Sequence, residues 1–207
     1  MQEKEKNKFR CLTSWDDGNK LDFKIAELLK KYDLPGIFFI PSWSSYTNIG
    51  VDGVKKLYDM GFIVGAHTKT HPQDMKRLTK EQQENEIVLN KRWLENIIDD
   101  EVKWFCYPGG RYNDITVDIV KDHFKYARTT VTGFHNVPDD NFRIKTSVHI
   151  YPHEKYKMKW LQYAKLQFDY AIQNDGVFHV WGHSWEVTQL KLWDELEELF
   201  KYIKENK

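Results

Sequence analysis

Short apolar runs recur along the chain, and each is followed by a longer stretch whose apolar residues return at helical spacing. Ile37-Phe38-Phe39-Ile40 is such a run, while Leu21, Ile25, Leu28 and Leu29, or Leu192, Leu196, Leu199 and Ile203, mark helical faces. A short run without polar alternation suits an inner strand buried on both sides, and an amphipathic helix is the usual crossover between parallel strands. The pattern predicts strands at 9–14, 37–40, 62–66, 102–106, 126–130, 143–149 and 176–181. Helices are expected after Gly18, at 51–59, through Glu86, Leu89, Trp93 and Ile97, at 114–122, at 157–173 and near the carboxyl end. Thr79 and Gln82 form a capping-box pattern that opens the third of these. About seven alternations predict an α/β fold, with a (β/α) barrel preferred over a wound open sheet. Both architectures gather sites at the carboxyl ends of strands.

The 207 residues suit one domain, 1–207, because no second composition regime interrupts them. Lys plus Arg equals Asp plus Glu at 31 each, so no basic field exists to attract nucleic acid or an anionic membrane. Cys11 and Cys106 sit in separate apolar stretches, which argues for two buried thiols and against a disulfide framework. The first ten residues are dominated by Lys and Glu and lack a signal-peptide core, and no later run approaches a membrane span. Location is therefore open: cytoplasmic if Met1 is the native start, cell envelope or secreted if a signal was removed. Oligomeric state is not legible.

Chemistry concentrates where strands end. Thr13-Ser14-Trp15-Asp16-Asp17-Gly18 closes the first strand, and His67-Thr68-Lys69-Thr70-His71-Pro72 follows the third. One carboxylate and two imidazoles make three ligands for a borderline divalent cation, and the second aspartate is placed to act as a base. His67 follows a strand and His71 precedes proline, so the segment reads as an irregular turn and not as a helical His pair. Tyr107-Pro108-Gly109-Gly110 and Trp181-Gly182-His183 end two further strands, so residues far apart in sequence converge on one rim.

With these four motifs in this order, the chain resembles the polysaccharide deacetylases with a NodB-homology domain, carbohydrate esterase family 4. The resemblance covers nearly the whole chain and implies a distorted (β/α) barrel of about seven strands and a metal-dependent hydrolase that removes acetyl groups, above all N-acetyl, from a carbohydrate. It implies Asp17, His67 and His71 as metal ligands, Asp16 as general base and His183 as general acid. One divalent ion is implied, zinc in the first place, with cobalt, nickel or iron accepted by the same donors. A backbone N–H in the loop of Tyr107, Pro108 and Gly109, that of Gly109 above all, would meet the oxyanion. Trp181 would line the acetyl pocket and stack on sugar, against the alternative of a buried core tryptophan. Asp139 or Asp140 is the expected carboxylate that raises the His183 pKa.

One departure from the family pattern stands out. The family arginine that holds the base aspartate is replaced by Cys106, which cannot act as a guanidinium fork. Arg111, Arg128 and Arg143 are the candidates to replace it. The loss motivates one alternative, a catalytically weak carbohydrate-binding homologue; a second, a hydrolase of a small non-sugar amide, stays open because the metal site does not specify what lies beyond the acyl group. His123, His135, His149, His153 and His179 carry no motif and receive no role.

Overall fold

In the computed structural model, which describes residues 10–207, β1 (Arg10–Asp16) is the strand to which the others are referred. It pairs in parallel with β2 (Ile37–Ile40) on one side and β7 (Val177–Gly182) on the other. The sheet continues through β3 (Ile63–Ala66), β4 (Trp104–Cys106) and β5 (Tyr126–Arg128), and beyond β7 it ends at β6 (Val148–His149). The order is β5-β4-β3-β2-β1-β7-β6, and every pairing is parallel. The seven strands form a curled half-barrel surrounded by helices, as the alternation of apolar runs predicts. Phe9, expected in the first strand, lies outside the described residues.

Around the sheet run α1 (Asp22–Tyr32), α2 (Gly50–Asp59), α3 (Lys80–Ile98), α4 (Asp114–His123), α5 (Trp160–Gln173), α6 (Ser184–Gln189) and α7 (Trp193–Asn206). Thr79 does cap α3, with reciprocal bonds between its hydroxyl and the Gln82 amide and between the Gln82 side chain and the Thr79 N–H. Alternate strand residues face opposite layers. Outward residues such as Trp15, edge-on to Phe200 with ring centroids 6.3 Å apart, join the large core between sheet and helices. Inside the curl Ile37, Phe39 and Cys106 form a smaller apolar cluster backed by Leu12 and Trp104. The register of β1 against β7 sets Leu12 beside His179 and Ser14 beside Trp181, and the Ser14 hydroxyl meets His179 Nε2 at 2.8 Å.

Two expectations are corrected, and one element was missed. The strand at 143–149 shrinks to Val148–His149 because the preceding backbone changes partners: Ile144 bonds to Ala127, Thr146 to Val131 and Ser147 to His179. This segment crosses the open side between β5 and β6 and does not form one ladder. The helix expected at 157–173 starts only at Trp160, since Lys157 has φ 54° and ends a 3-10 turn over Glu154–Tyr156. α6, directly after His183, was not anticipated because six residues carry too little periodicity to read.

Candidate metal centre and active site

Asp16 and Asp17 end β1 on different terms. Asp16 continues the inward row of the strand, whereas Asp17 turns with φ 81°, an uncommon conformation for a residue with a Cβ. Gly18 follows at φ 63°, where an added Cβ would stand 2.8 Å from Ile40 Cγ2, so a side chain is excluded there twice over. Thr68 at φ 67° and His71 at φ 55° repeat the left-handed backbone in the second motif. Such strain persists where surrounding bonds over-determine the geometry, and it clusters at functional sites.

Side chains of α3 hold the second motif through hydrogen bonds. Asn90 of α3 accepts from the His67 N–H at 2.8 Å and donates to the Ile40 carbonyl at 3.1 Å and the Ser42 hydroxyl at 2.9 Å. Glu86 of α3 accepts from the Thr70 N–H and hydroxyl, each at 2.8 Å. The His67 ring is fixed as well: Nδ1 lies 2.8 Å from the Cys106 carbonyl, which can only accept, so Nδ1 carries the proton and Nε2 presents a lone pair. Burial lowers the His67 pKa to about 4, against the opposing pull of Asp16, and this keeps the ring neutral.

Nε2 of His67 and Nε2 of His71 lie 3.8 Å and 3.5 Å from Asp17 Oδ1. That oxygen is buried and has no hydrogen-bond partner. A buried carboxylate oxygen facing an imidazole lone pair is costly unless a cation lies between them. Two other groups among the described residues bring comparable donors together: Asp16 with His67 and Cys106, and His149 with His183 and Glu186. In the first, Asp16 is already paired with Arg128, and in the second Glu186 already accepts from both histidines. The Asp17, His67 and His71 set is the one with an unmet acceptor, and it fits a divalent cation of borderline softness.

Asp16 is held by Arg128, whose Nη2 reaches both carboxylate oxygens and lies 2.8 Å from Cys106 Sγ. Arg128 comes from β5, one strand beyond Cys106, so a neighbouring strand supplies the guanidinium. Arg143 is engaged by Asp114 at 2.8 Å and Asp140 at 3.0 Å and takes no part. Burial would raise the Asp16 pKa, but the charge of Arg128 overcomes it and holds the carboxyl well below its usual range. Asp16 is ionised at neutral pH.

His183 faces the same centre, with Nε2 3.8 Å from Asp17 Oδ2. Its Nδ1 donates to Glu186 Oε2 at 2.5 Å, which corrects the expectation for Asp139 or Asp140; Asp140 is tied to Arg143 and the Phe142 N–H. Burial lowers the His183 pKa, but the Glu186 bond and the charges of Asp16 and Asp17 outweigh it, so the ring gains protons more readily than usual. Glu186 also accepts from His149 Nε2 at 3.2 Å, and these bonds overcome its burial and take its pKa down to about 2. Glu186 and His149 are the site residues that sequence reasoning missed. Glu186 could have been found from its place three residues after His183, at the start of a helix, but no spacing points to His149.

The remaining expected residues separate. Tyr107 is buried, its hydroxyl donates to the Phe142 carbonyl at 2.9 Å and its N–H to the Arg128 carbonyl at 3.2 Å. Pro108 has no N–H, which leaves Gly109, at φ 56° with nothing within 4 Å of where a Cβ would stand. Trp181 is buried between the Arg128 guanidinium, 4.5 Å from the ring centroid, and the parallel His149 ring at 3.9 Å. With both faces taken, it has no face to offer a sugar, although its Nε1 is buried and unpartnered.

Comparisons with known proteins bear on the fold and the family. A peptidoglycan-N-acetylglucosamine deacetylase of Bacillus cereus is 26% identical over 125 residues, 58% of this chain and 41% of that protein. The chain spans less than half the length of the curated relatives it matches. A family 4 carbohydrate esterase from Streptomyces lividans, solved with acetate, superposes with a TM-score of 0.65 over 96% of this chain and 90% of that one, at 16% identity. A Bacillus anthracis pseudoenzyme of the same family gives a TM-score of 0.65 over 95% and 62%, at 22% identity. These two likenesses are of fold alone. The polysaccharide deacetylase family model matches residues 3–126, which takes in both the Asp-Asp-Gly and the His-x-x-x-His motifs. By that match over more than half its length, the chain belongs to the polysaccharide deacetylase family.

Proposed function

We propose that the chain is a single catalytic domain that hydrolyses the acetamide of N-acetylated sugar units in a polysaccharide, with one divalent cation, zinc in the first place, held by Asp17, His67 and His71. The observation that carries this reading is the unpartnered Asp17 Oδ1 facing two imidazole Nε2 atoms, with Asp16 and His183 on either side. A divalent cation held by Asp17, His67 and His71 would supply Lewis acidity toward water and toward the acyl oxygen. Asp16, kept ionised by Arg128, takes a proton from the attacking water. The Gly109 N–H donates to the oxyanion as the carbonyl carbon becomes tetrahedral. His183, oriented by Glu186 through Nδ1, gives its Nε2 proton to the departing amine. Water and acetamide thus become acetate and a free amino sugar, with one proton passing to Asp16 and one leaving His183.

Arg128 supports the catalytic reading over a catalytically weak homologue, because it offers Asp16 the cation that Cys106 lacks. The pseudoenzyme neighbour shares the fold, and a fold does not fix an activity. Acetate release from N-acetylglucosamine oligomers, with the protein as purified, after chelation and after zinc is returned, tests the proposal. Hydrolysis confined to small non-sugar amides would replace it.

A further inference from the structure

Behind His183 stands a second group of metal donors. Glu186 Oε2 lies 2.5 Å from His183 Nδ1 and 3.2 Å from His149 Nε2, and one ligand atom from each of the three residues falls within 4.8 Å of the others. Two imidazoles and a carboxylate repeat the donor chemistry of His67, His71 and Asp17. The side chains of His183 and Glu186 are 18% and 14% exposed, so ions from solvent can reach them. His183 also joins the two groups, because its other nitrogen, Nε2, faces Asp17 Oδ2 at 3.8 Å.

His149 has the supports of a metal-ligating imidazole. Its ring is parallel to that of Trp181, with centroids 3.9 Å and planes 9° apart, and nearly parallel to that of Tyr151, at 5.7 Å and 12°. On its far side Nδ1 lies 2.9 Å from His153 Nε2. When the proton of that pair sits on His149 Nδ1, Nε2 turns a lone pair toward Glu186, and a ligating imidazole that donates its other N–H to a neighbour is the ordinary arrangement. When His153 is the donor, His149 Nε2 carries hydrogen and donates to Glu186. The histidine pair can thus offer Glu186 a proton or a cation the lone pair it needs. In a tetrahedral site with bonds of about 2.1 Å, ligand atoms stand about 3.4 Å apart. His149 Nε2 and Glu186 Oε2 are near that spacing already, whereas the contact at His183 has to open by about 1 Å. The hydrogen-bonded form is therefore the resting one, and a cation enters only after Asp17, His67 and His71 are filled.

We infer that His149, Glu186 and Nδ1 of His183 form a second, weaker zinc site through which excess zinc switches off the acid. With Nδ1 ligated, the hydrogen that His183 shares with Glu186 passes to solvent. The ring then keeps only the Nε2 hydrogen of a neutral, metal-bound imidazole, a far weaker acid than imidazolium, and the departing amine goes unprotonated. The inhibition rests on the deacetylase reading; the site itself does not.

The test titrates zinc into metal-free protein by calorimetry and follows acetate release over the same range. Wild type is expected to take up one tight equivalent that gives activity and, in excess zinc, a second and weaker one whose filling removes it. His149→Phe keeps an aromatic ring against Trp181 and is expected to retain the tight equivalent and lose the weak one. His153→Ala removes only the outer partner, at a half-buried position that leaves the test readable should His149→Phe not fold, and is expected to weaken the second equivalent about 10-fold. Each variant's inhibition curve, scaled to its own uninhibited rate, is expected to move with its second equivalent. A single equivalent in wild type under excess zinc, or a second one indifferent to both variants, overturns the site; activity that persists while the second equivalent fills overturns the switch. If wild type releases no acetate at any zinc level, the deacetylase reading fails, and a second equivalent lost in His149→Phe still upholds the site.

Discussion

Asp16 and Asp17 are adjacent, equally buried, and differ in what each is offered. Asp16 meets a guanidinium, whereas Asp17 meets the Nε2 atoms of His67 and His71 and an indole N–H. The separate assignments follow from that difference in partners. Arg128 is thus predicted to be a positioning residue: Arg128→Ala leaves a buried carboxylate unpaired, at about 3–5 kcal/mol of stability, and lowers acetate release at least about 100-fold. Adding Cys106→Arg returns a guanidinium from the adjacent strand, since Cys106 Sγ lies 3.7 Å from Asp16 Oδ2, and is expected to restore part of the activity. Thermal melts and acetate assays on the single and double variants check this, and wild-type turnover in Arg128→Ala refutes it. The two aspartates were legible as a pair from sequence, and so was the need for a replacement cation. The choice of Arg128 was not, because it depends on strand order, which sets β5 beside β4 and turns Arg128 into the curl.

Elements explain both what the sequence revealed and what it hid. Strands such as Ile37–Ile40 are legible because apolar residues on both sides leave no solvated alternative, and α3 is legible because Thr79 and Gln82 announce its start. β6 and α6 escape because their two and six residues are defined by partners elsewhere: β6 by β7, and α6 by the junction at His183. Yet α6 brings Glu186 to Nδ1 of His183, the proposed acid, and β6 brings His149 to Glu186. Glu186→Gln keeps a hydrogen-bond acceptor and removes the charge, so kcat is expected to fall about 10- to 100-fold while KM and metal content stay unchanged. Steady-state kinetics with metal analysis decide it; a rise in KM alone contradicts the assignment.

At the scale of the whole molecule, buried titratable groups pull stability in opposite directions. Burial lowers the His179 pKa to about 3, so between pH 6.5 and 3 the unfolded chain takes up a proton that the folded one refuses, and stability falls as the solution is acidified. Burial raises the Asp22 pKa to about 8, partly offset by its bond from Ser184, so from about pH 4 to 8 the folded chain keeps a proton that the unfolded one has released, and stability falls as pH rises. His179→Gln is expected to flatten the acid limb and Asp22→Asn the alkaline one, each by up to about 1.4 kcal/mol per pH unit. Chemical denaturation at pH 5, 7 and 8 checks both slopes, and variants that parallel wild type contradict them. The fold as a whole was the most legible level, since alternation of apolar runs and helical faces already implies a site at the carboxyl ends of parallel strands. The claim that joins all three scales is that this rim holds a divalent cation and spends it on an acetamide. Its most direct measurement is acetate release from an N-acetylglucosamine oligomer, paired with metal content, before chelation, after it, and after zinc is returned. One metal per chain is expected, with activity lost on removal and recovered on reloading; acetate released at an unchanged rate by metal-free protein would contradict a metal-dependent deacetylase.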